Sequence, residues 1–412
     1  MPGARCLAPE GRLYTSLMPT LAKPLTGILV ADFSRILAGP LCTMMLADAG
    51  ARVIKVEQPG RGDETRRWGP PFIEGESAYY LSVNRGKESI TLDLGSSRGR
   101  EIAGKLIERA DVAVDNFLPV QKTRLGLTAE KVRAINRRII HCSISGFDQD
   151  GPDADLPGYD LLAQAAGGFM AITGQADDDP TKAGVALSDV LTAHYAHGAI
   201  LSALVARERT GTGSTLDVSL HGSTVASLIN VGQAYLVTGR EPLRWGNAHP
   251  AIVPYEAFHG SDRLMVIAVA TDRHFEILCR EVLEHPEVAA DSRFRTNADR
   301  VTNRDELIPM LQAWLRARPA AEWIERCRNA GIPAHVVSTI GEVFEADASP
   351  ADWMAHPSIG ALRMTRGPVL RDGARSASPL PPPLLGEHTD SILGELGCGQ
   401  DEITRMRDDG VV

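Results

Sequence analysis

A large doubly wound α/β domain with a parallel sheet, followed by a smaller α/β unit, is the fold class this sequence predicts. Three observations carry the prediction. Short apolar strands alternate with helical stretches from about residue 27, the signature of βαβ units. The composition changes near Arg240, where EPLRWGNAHPAIVPYEAF holds three prolines and no helical period. The length, 412 residues, exceeds what one ordinary core serves.

The first strand is read in GILVADF, running into the Gly-Pro loop of SRILAGP. CTMMLADAGA has helical spacing and RVIKVEQP is the next strand, which implies a right-handed crossover between parallel strands. The pattern repeats in the strand SITLDL, the helix SRGREIAGKLIERA and the strand DVAVDNF. AEKVRAIN then reads as a short helix and RIIHCSISGF as a strand. A helix-rich stretch from Tyr159 to Arg207 precedes the strand STLDVSLHG, completing a Rossmann-like outline. Beyond the proline-bearing linker lie the strand RLMVIAVA, the helices HFEILCREVL, RDELIPMLQAWLRAR and AAEWIERCRNA, and the strand AHVVSTI. The tail crosses SASPLPPPLLGEHTDSIL, a proline-rich connector that ends in a helix. The boundaries drawn are 1–24 for an N-terminal extension, 25–225 for the large domain, 226–345 for linker and small domain, and 346–412 for a segment returning to the large domain.

Composition excludes several classes. A net charge of −9 with no basic arm argues against general nucleic-acid binding. An anionic ligand would need a local cationic mouth, for which Arg61, Arg66 and Arg67 in one loop and Arg85 and Lys87 in another are available. No apolar run reaches the ~18 residues of a membrane span. Cys6, Cys42, Cys142, Cys279, Cys327 and Cys398 show no zinc or redox spacing and lie mostly in apolar stretches, so a reduced, cytoplasmic protein is expected. Residues 1–24 lack the apolar core of a secretory signal; a disordered extension is favoured over a transit peptide, with Met18 an alternative start.

Nucleotide and hydrolase motifs are absent: no GxGxxG follows the first strand, and no GxxxxGK[ST], GxSxG or HExxH occurs. His194 and His197 share a helix face at i, i+3, but no acidic or cysteine ligand accompanies them, and a packed pair is preferred to a metal site. Asp189, read alone, is a candidate N-cap for the helix LTAHYAHGAILSALVAR.

A resemblance changes the weight of Asp189. LTGILVADFSRILAGP, GARVIKVEQPGRGDETRRWGPPF, YYLSVNRGKESITLDL, DVAVDNFLPVQKTRLGL, PGYDLLAQAAGGFMAITG, GVALSDV, GIPAHVV and PPLLGEHT occur in that order. Together they resemble the family III coenzyme A transferases, which include formyl-CoA and carnitine-CoA transferases. The likeness spans about Leu25 to Val412; WGPPF, YYLSVNR and RWGNAHPAIVPY carry a finer likeness to the branch using succinyl-CoA and dicarboxylic acids such as glutarate or hydroxymethylglutarate. The resemblance implies transfer of CoA from an acyl-CoA to a free carboxylic acid, with Asp189 at the end of GVALSD as the covalent nucleophile. It implies acyl-CoA and carboxylic-acid partners, no permanently bound cofactor, no metal, and an interlocked homodimer.

The same resemblance places CoA contacts on Ile36, Leu37, Gln58, Leu92, Asn116, Phe117, Arg124 and Tyr159. Arg124 is its best partner for a CoA phosphate, and Phe117 with Ile36 its candidates to sandwich adenine. Solvated-arginine and ordinary core-phenylalanine readings remain open for Arg124 and Phe117. The chain also departs from the family pattern. Gln58 stands where an arginine is common, Pro157 where formyl-CoA transferase has a lysine, and GNAHP, with Gly246 and His249, where a glycine-rich loop shields the site. Arg66, Arg67 and Arg244 are candidates for a second substrate carboxylate. A 2-methylacyl-CoA racemase is the rival reaction, but it needs a histidine base in a GHD motif, and this chain has Gly158, Tyr159 and Asp160; a tyrosine with a pKa near ~10 is no base at neutral pH. A non-catalytic CoA-binding protein is the alternative from another class.

Overall fold

The computed structural model describes residues 23–375 and 377–412, so nearly all of the expected extension 1–24, with Cys6 and Met18, lies outside the described residues. Its centre is a six-stranded parallel sheet. The strands are β1 (Leu29–Asp32), β2 (Arg52–Glu57), β3 (Lys87–Thr91), β4 (Val112–Asp115), β5 (Ile140–Ser145) and β6 (Thr215–Ser219). They lie in the order β3-β2-β1-β4-β5-β6, so the winding reverses between β1 and β4. In such sheets the crevice beyond the carboxyl ends of the strands at this reversal receives ligands.

Both faces are covered, which is why β1 and β4, LVAD and VAVD, read as nearly continuous apolar runs rather than alternating ones. On one face lie α1 (Ala38–Asp48) and the 24-residue α3 (Leu187–Thr210), whose Cys42, Leu46, Ala193, Ala196 and Ile200 join Val30, Val53 and Val114 in one core. On the other lies α2 (Ser97–Arg109), started by the Ser96 hydroxyl, which accepts the Gly99 N–H. Ile102 and Leu106 of α2 share their core with Ile392, Leu393, Ile403 and Met406 from the end of the chain.

Residues 253–332 build a separate hydrophobic core around the antiparallel strands Tyr255–His259, Leu264–Ala268 and Ala334–Val336. The proline-rich segment then runs along the edge of the large sheet. The Gly86 N–H donates to the Leu380 carbonyl, the Gly386 N–H to the Ser89 hydroxyl, and the Thr91 N–H to Thr389 Oγ1. Among the described residues no helix is long and apolar enough to cross a membrane.

Several boundaries differ from the sequence reading. α1 begins at Ala38, four residues before Cys42, because Pro40 falls in the first turn, where a missing N–H costs nothing. The strand read from Ser89 begins at Lys87, whose side chain is buried rather than exposed. The helix-rich stretch from Tyr159 breaks over 173–186 before α3 starts. Among the elements that were not anticipated are the helix Ile229–Thr238 and the hairpin Ala351–His356 with Gly360–Thr365.

Candidate active site

Everything at the switch point depends on the short connection from β1 to α1. Gly39 is required there, because a Cβ would lie 2.3 Å from the Ser34 side chain. Ile36 adopts φ +74°, a left-handed conformation that costs a β-branched residue of the order of 1–3 kcal/mol. Polar braces hold it. The Arg35 N–H donates to Asn116 Oδ1 at 3.0 Å and Asn116 Nδ2 donates to the Arg35 carbonyl at 2.7 Å. The Ile36 N–H reaches the Asp63 carboxylate at 3.1 Å. Asp63 is itself buried, ion-paired with Lys55 at 2.9 Å, and caps the short turn Glu64–Arg67 by accepting the Thr65 N–H. The kinked connection thereby aims the first N–H of α1, that of Ala38, at Asp189, which accepts it.

Asp189 is half-buried and is the third residue of α3. The N-cap expectation is therefore corrected: the cap position belongs to Ala186, which makes no side-chain bond, and the carboxyl of Asp189 points away to α1 and the cleft. Its carboxyl is pushed up to about 7, first by burial and then by the nearby Asp160 carboxylate, against the lowering effect of the Ala38 N–H. A carboxylate raised in this way is a stronger base and nucleophile than a solvated one.

Two adjoining clefts meet here. One, of about 330 Å³, is lined by Asp189, Ile36, Leu37, Ala38, Asn116, Phe117, Pro157 and Tyr159. The other, of about 520 Å³, is a groove lined by Gln58, Leu92, Phe117 and Arg124, with Arg61 and Arg67 at the same surface. Arg35, Glu64 and Phe117 line both and form the waist between them. All nine residues expected in the site thus fall on this continuous surface, six with Asp189 and four in the groove when Phe117 is counted in each. Leu92 is buried in the groove wall, whereas Gln58, Arg124 and Tyr159 are exposed. Ile36 and Phe117 share only the Asp189 cleft, and the Arg35 guanidinium lies over the Phe117 ring at 5.0 Å.

The expected cationic mouth needs correction. Arg66 is spent on Glu57 at 2.8 Å and lies over the Tyr80 ring at 3.7 Å. Arg85 pairs with Asp48 at 2.6 Å, and Lys87 is fully buried with Asp32 at 3.0 Å. The sequence shows a cation's presence but not its partner, and these three are structural. Arg61, Arg67 and Arg124 remain on the groove, with Arg35 at the waist. Arg244 does not face either cleft; its guanidinium donates to the carbonyls of Gln175, Ala176 and Asp178. Gly246 and His249 likewise line neither cleft within one chain, the Gly246 N–H donating to the Gly174 carbonyl. His194 Nδ1 bonds the Val190 carbonyl one turn back in α3.

The sequence reading missed Arg35, Asp63 and Glu64. Arg35 adjoins Ile36 in the loop that was singled out, so proximity was the available signal. The others declare themselves only through contacts across many residues.

Comparisons with known proteins show the family of the chain. The sequence model of CoA-transferase family III matches residues 25–389. The chain is 42% identical to the succinyl-CoA:glutarate CoA-transferase of Mus musculus over 396 residues, covering 95% of this chain and 90% of that protein. It is 39% identical to the succinate–glutarate CoA-transferase of Agrobacterium fabrum, covering 92% and 97%. A crystal structure of a CAIB/BAIF family protein from Brucella suis superposes with a TM-score of 0.82 at 38% identity, covering 91% of this chain and all of that one.

Proposed function

This chain belongs to CoA-transferase family III, and from that premise we propose that it moves CoA from succinyl-CoA to a dicarboxylic acid of about the size of glutarate, with Asp189 as the covalent carrier. The observation that carries the proposal is a desolvated carboxyl, Asp189, standing where a long cationic-rimmed groove turns into a second cleft of mixed polar and apolar lining. Arg61, Arg67 and Arg124 suit the phosphates of CoA by charge-assisted hydrogen bonds. The pantetheine arm then passes the waist at Phe117, bringing the thioester to Asp189.

The chemistry balances without water or a free proton. An Asp189 carboxylate oxygen attacks the thioester carbonyl carbon; the C–S bond breaks, and CoA leaves as a thiolate from a mixed anhydride. The thiolate attacks the aspartyl carbonyl of that anhydride, releasing the donor acid as its carboxylate and leaving an aspartyl–CoA thioester. The acceptor carboxylate attacks this thioester, displacing thiolate and forming a second anhydride. Attack of the thiolate on the acceptor's carbonyl gives the new acyl-CoA and returns Asp189 as a carboxylate. Conserving the thioester requires exclusion of water, and we propose that a second copy of the chain closes the open side of the cleft in an interlocked homodimer. The racemase reading gains nothing from the geometry, since among the described residues lining the Asp189 cleft there is no histidine to act from the opposite face.

Thioester exchange tests the proposal. Succinyl-CoA incubated with a panel of free acids should give the new acyl-CoA from five-carbon dicarboxylates, with no deuterium entering the α-carbon from heavy water. Deuterium uptake without exchange would replace transferase by racemase.

A further inference from the structure

The first turn of α3 has no cap of its own, because Ala186 offers no side-chain acceptor. The acceptor comes from another helix. Asp160 begins the helix Asp160–Ala166, and its Oδ1 accepts the N–H of Ser188 at 2.8 Å, one residue before the nucleophile. Its Oδ2 accepts from Gln164 Nε2 at 2.7 Å, so both its partners are donors. The other end of the same amide, Gln164 Oε1, accepts the Ala183 N–H at 2.9 Å, fastening the segment that leads into α3. Gln164 is buried, and Ser188 is fully so. The Ser188 carbonyl also accepts from Thr192 Oγ1, and its hydroxyl lies 2.7 Å from that of Thr224. Every polar atom of the residue beside Asp189 is therefore tied down.

We infer that Asp160 is a positioning residue for the transfer reaction: clamped by Gln164, it fixes the first turn of α3 from outside and sets a second negative charge beside the nucleophile. The inference rests on the reading of Asp189 as the covalent carrier. The groups facing Asp189 from the surrounding elements are few. Asp160 and Tyr159 come from one side, Tyr79 from the helix Ala78–Ser82, and the mutually paired Arg35 and Glu64 from the waist. Burial and then Asp160 raise its carboxyl against the Ala38 N–H, while the Arg35 guanidinium at the waist is paired with Glu64. Asp160 thus keeps the nucleophile basic, and the clamp keeps it aimed.

Asp160→Asn removes the charge and keeps an oxygen for the Ser188 N–H. Two readouts are followed against pH: the protonation of Asp189, by isotope-edited infrared difference against Asp189→Asn, and the burst of succinate released from succinyl-CoA without acceptor. Both midpoints should fall by on the order of one pH unit, with the plateau rate reduced roughly tenfold and KM little changed. Gln164→Leu, which keeps the Asp160 charge but cuts its tether, should lower the plateau with a smaller movement of the midpoint. An infrared midpoint unmoved in Asp160→Asn, or in Asp160→Ala should the Asn variant not fold, overturns the inference. If the infrared midpoint moves while the burst profile does not, Asp160 acts on Asp189 but Asp189 is not the carrier, and the inference falls with that reading rather than by itself.

Discussion

Asp189 stands where two opposing effects can be compared. In the first turn of a helix the dipole and the free N–H groups favour an anion by about 0.3–1 kcal/mol. Moving an aspartate to about 7 requires several kcal/mol in the other direction, so burial and the Asp160 charge outweigh the helix. The folded chain holds this proton up to about pH 7, whereas an unfolded aspartate releases it near ~4. The stability contribution is therefore complete below about pH 4 and is lost as the pH rises towards 7. Asp189→Asn removes both the nucleophile and this dependence. Transfer should be abolished while CoA still binds, and no adduct trappable by hydroxylamine should form on the variant. Calorimetry should give matched melting temperatures at pH 4 and a higher one for the variant at pH 8, by about 1–2 kcal/mol of stability. An active Asn variant, shown by mass to be free of deamidation, would sink the carrier role.

At the scale of elements, the β1–α1 connection makes the site, and its cost is borne by braces rather than by propensity. The motif SRILAGP marked the place, but nothing in it announces that Ile36 is left-handed or that the Ala38 N–H faces Asp189. Those features depend on Asn116 and Asp63, which are far away in sequence. Asn116, expected as a CoA contact, also holds both backbone polar groups of Arg35. Asn116→Ala should therefore lower stability by about 1–3 kcal/mol, the effect of orphaning these groups, and weaken CoA binding at least as much. A Kd for CoA that rises with no change in melting temperature would reduce Asn116 to a ligand contact alone. Legibility followed the same division. Strand and helix types were readable from local periodicity, as in Val112–Asp115 or Ser97–Arg109. The fates of Arg66, Arg85 and Lys87 were not, because a local pattern carries no information about a partner such as Asp48 or Asp32.

At the scale of the molecule, the doubly wound outline was legible because buried parallel strands must be apolar on both faces, and that is visible in residues such as Val30, Ile54 and Val114. The helix Ile229–Thr238 was hidden by the neighbouring prolines and by its lack of a polar face. It buries no residue within one chain: Ile229 is 73% exposed, Leu236 77% and Val237 74%. An apolar helix with nothing on it is unstable in water unless another surface covers it. Tyr195 and Val205 of α3 and Val225 are also exposed. A second copy of the chain is the occupant that the proposed dimer supplies. The protein should sediment as a dimer at micromolar concentration, with no monomer boundary. Leu236→Glu together with Val237→Lys should yield a monomer or an aggregate, since burying two unpaired charges costs several kcal/mol. If the cleft is closed only in the dimer, a soluble monomer of this variant should bind CoA yet hydrolyse succinyl-CoA instead of exchanging it, because water then reaches the anhydride on Asp189. A wild-type monomer with full exchange activity would show that one chain suffices.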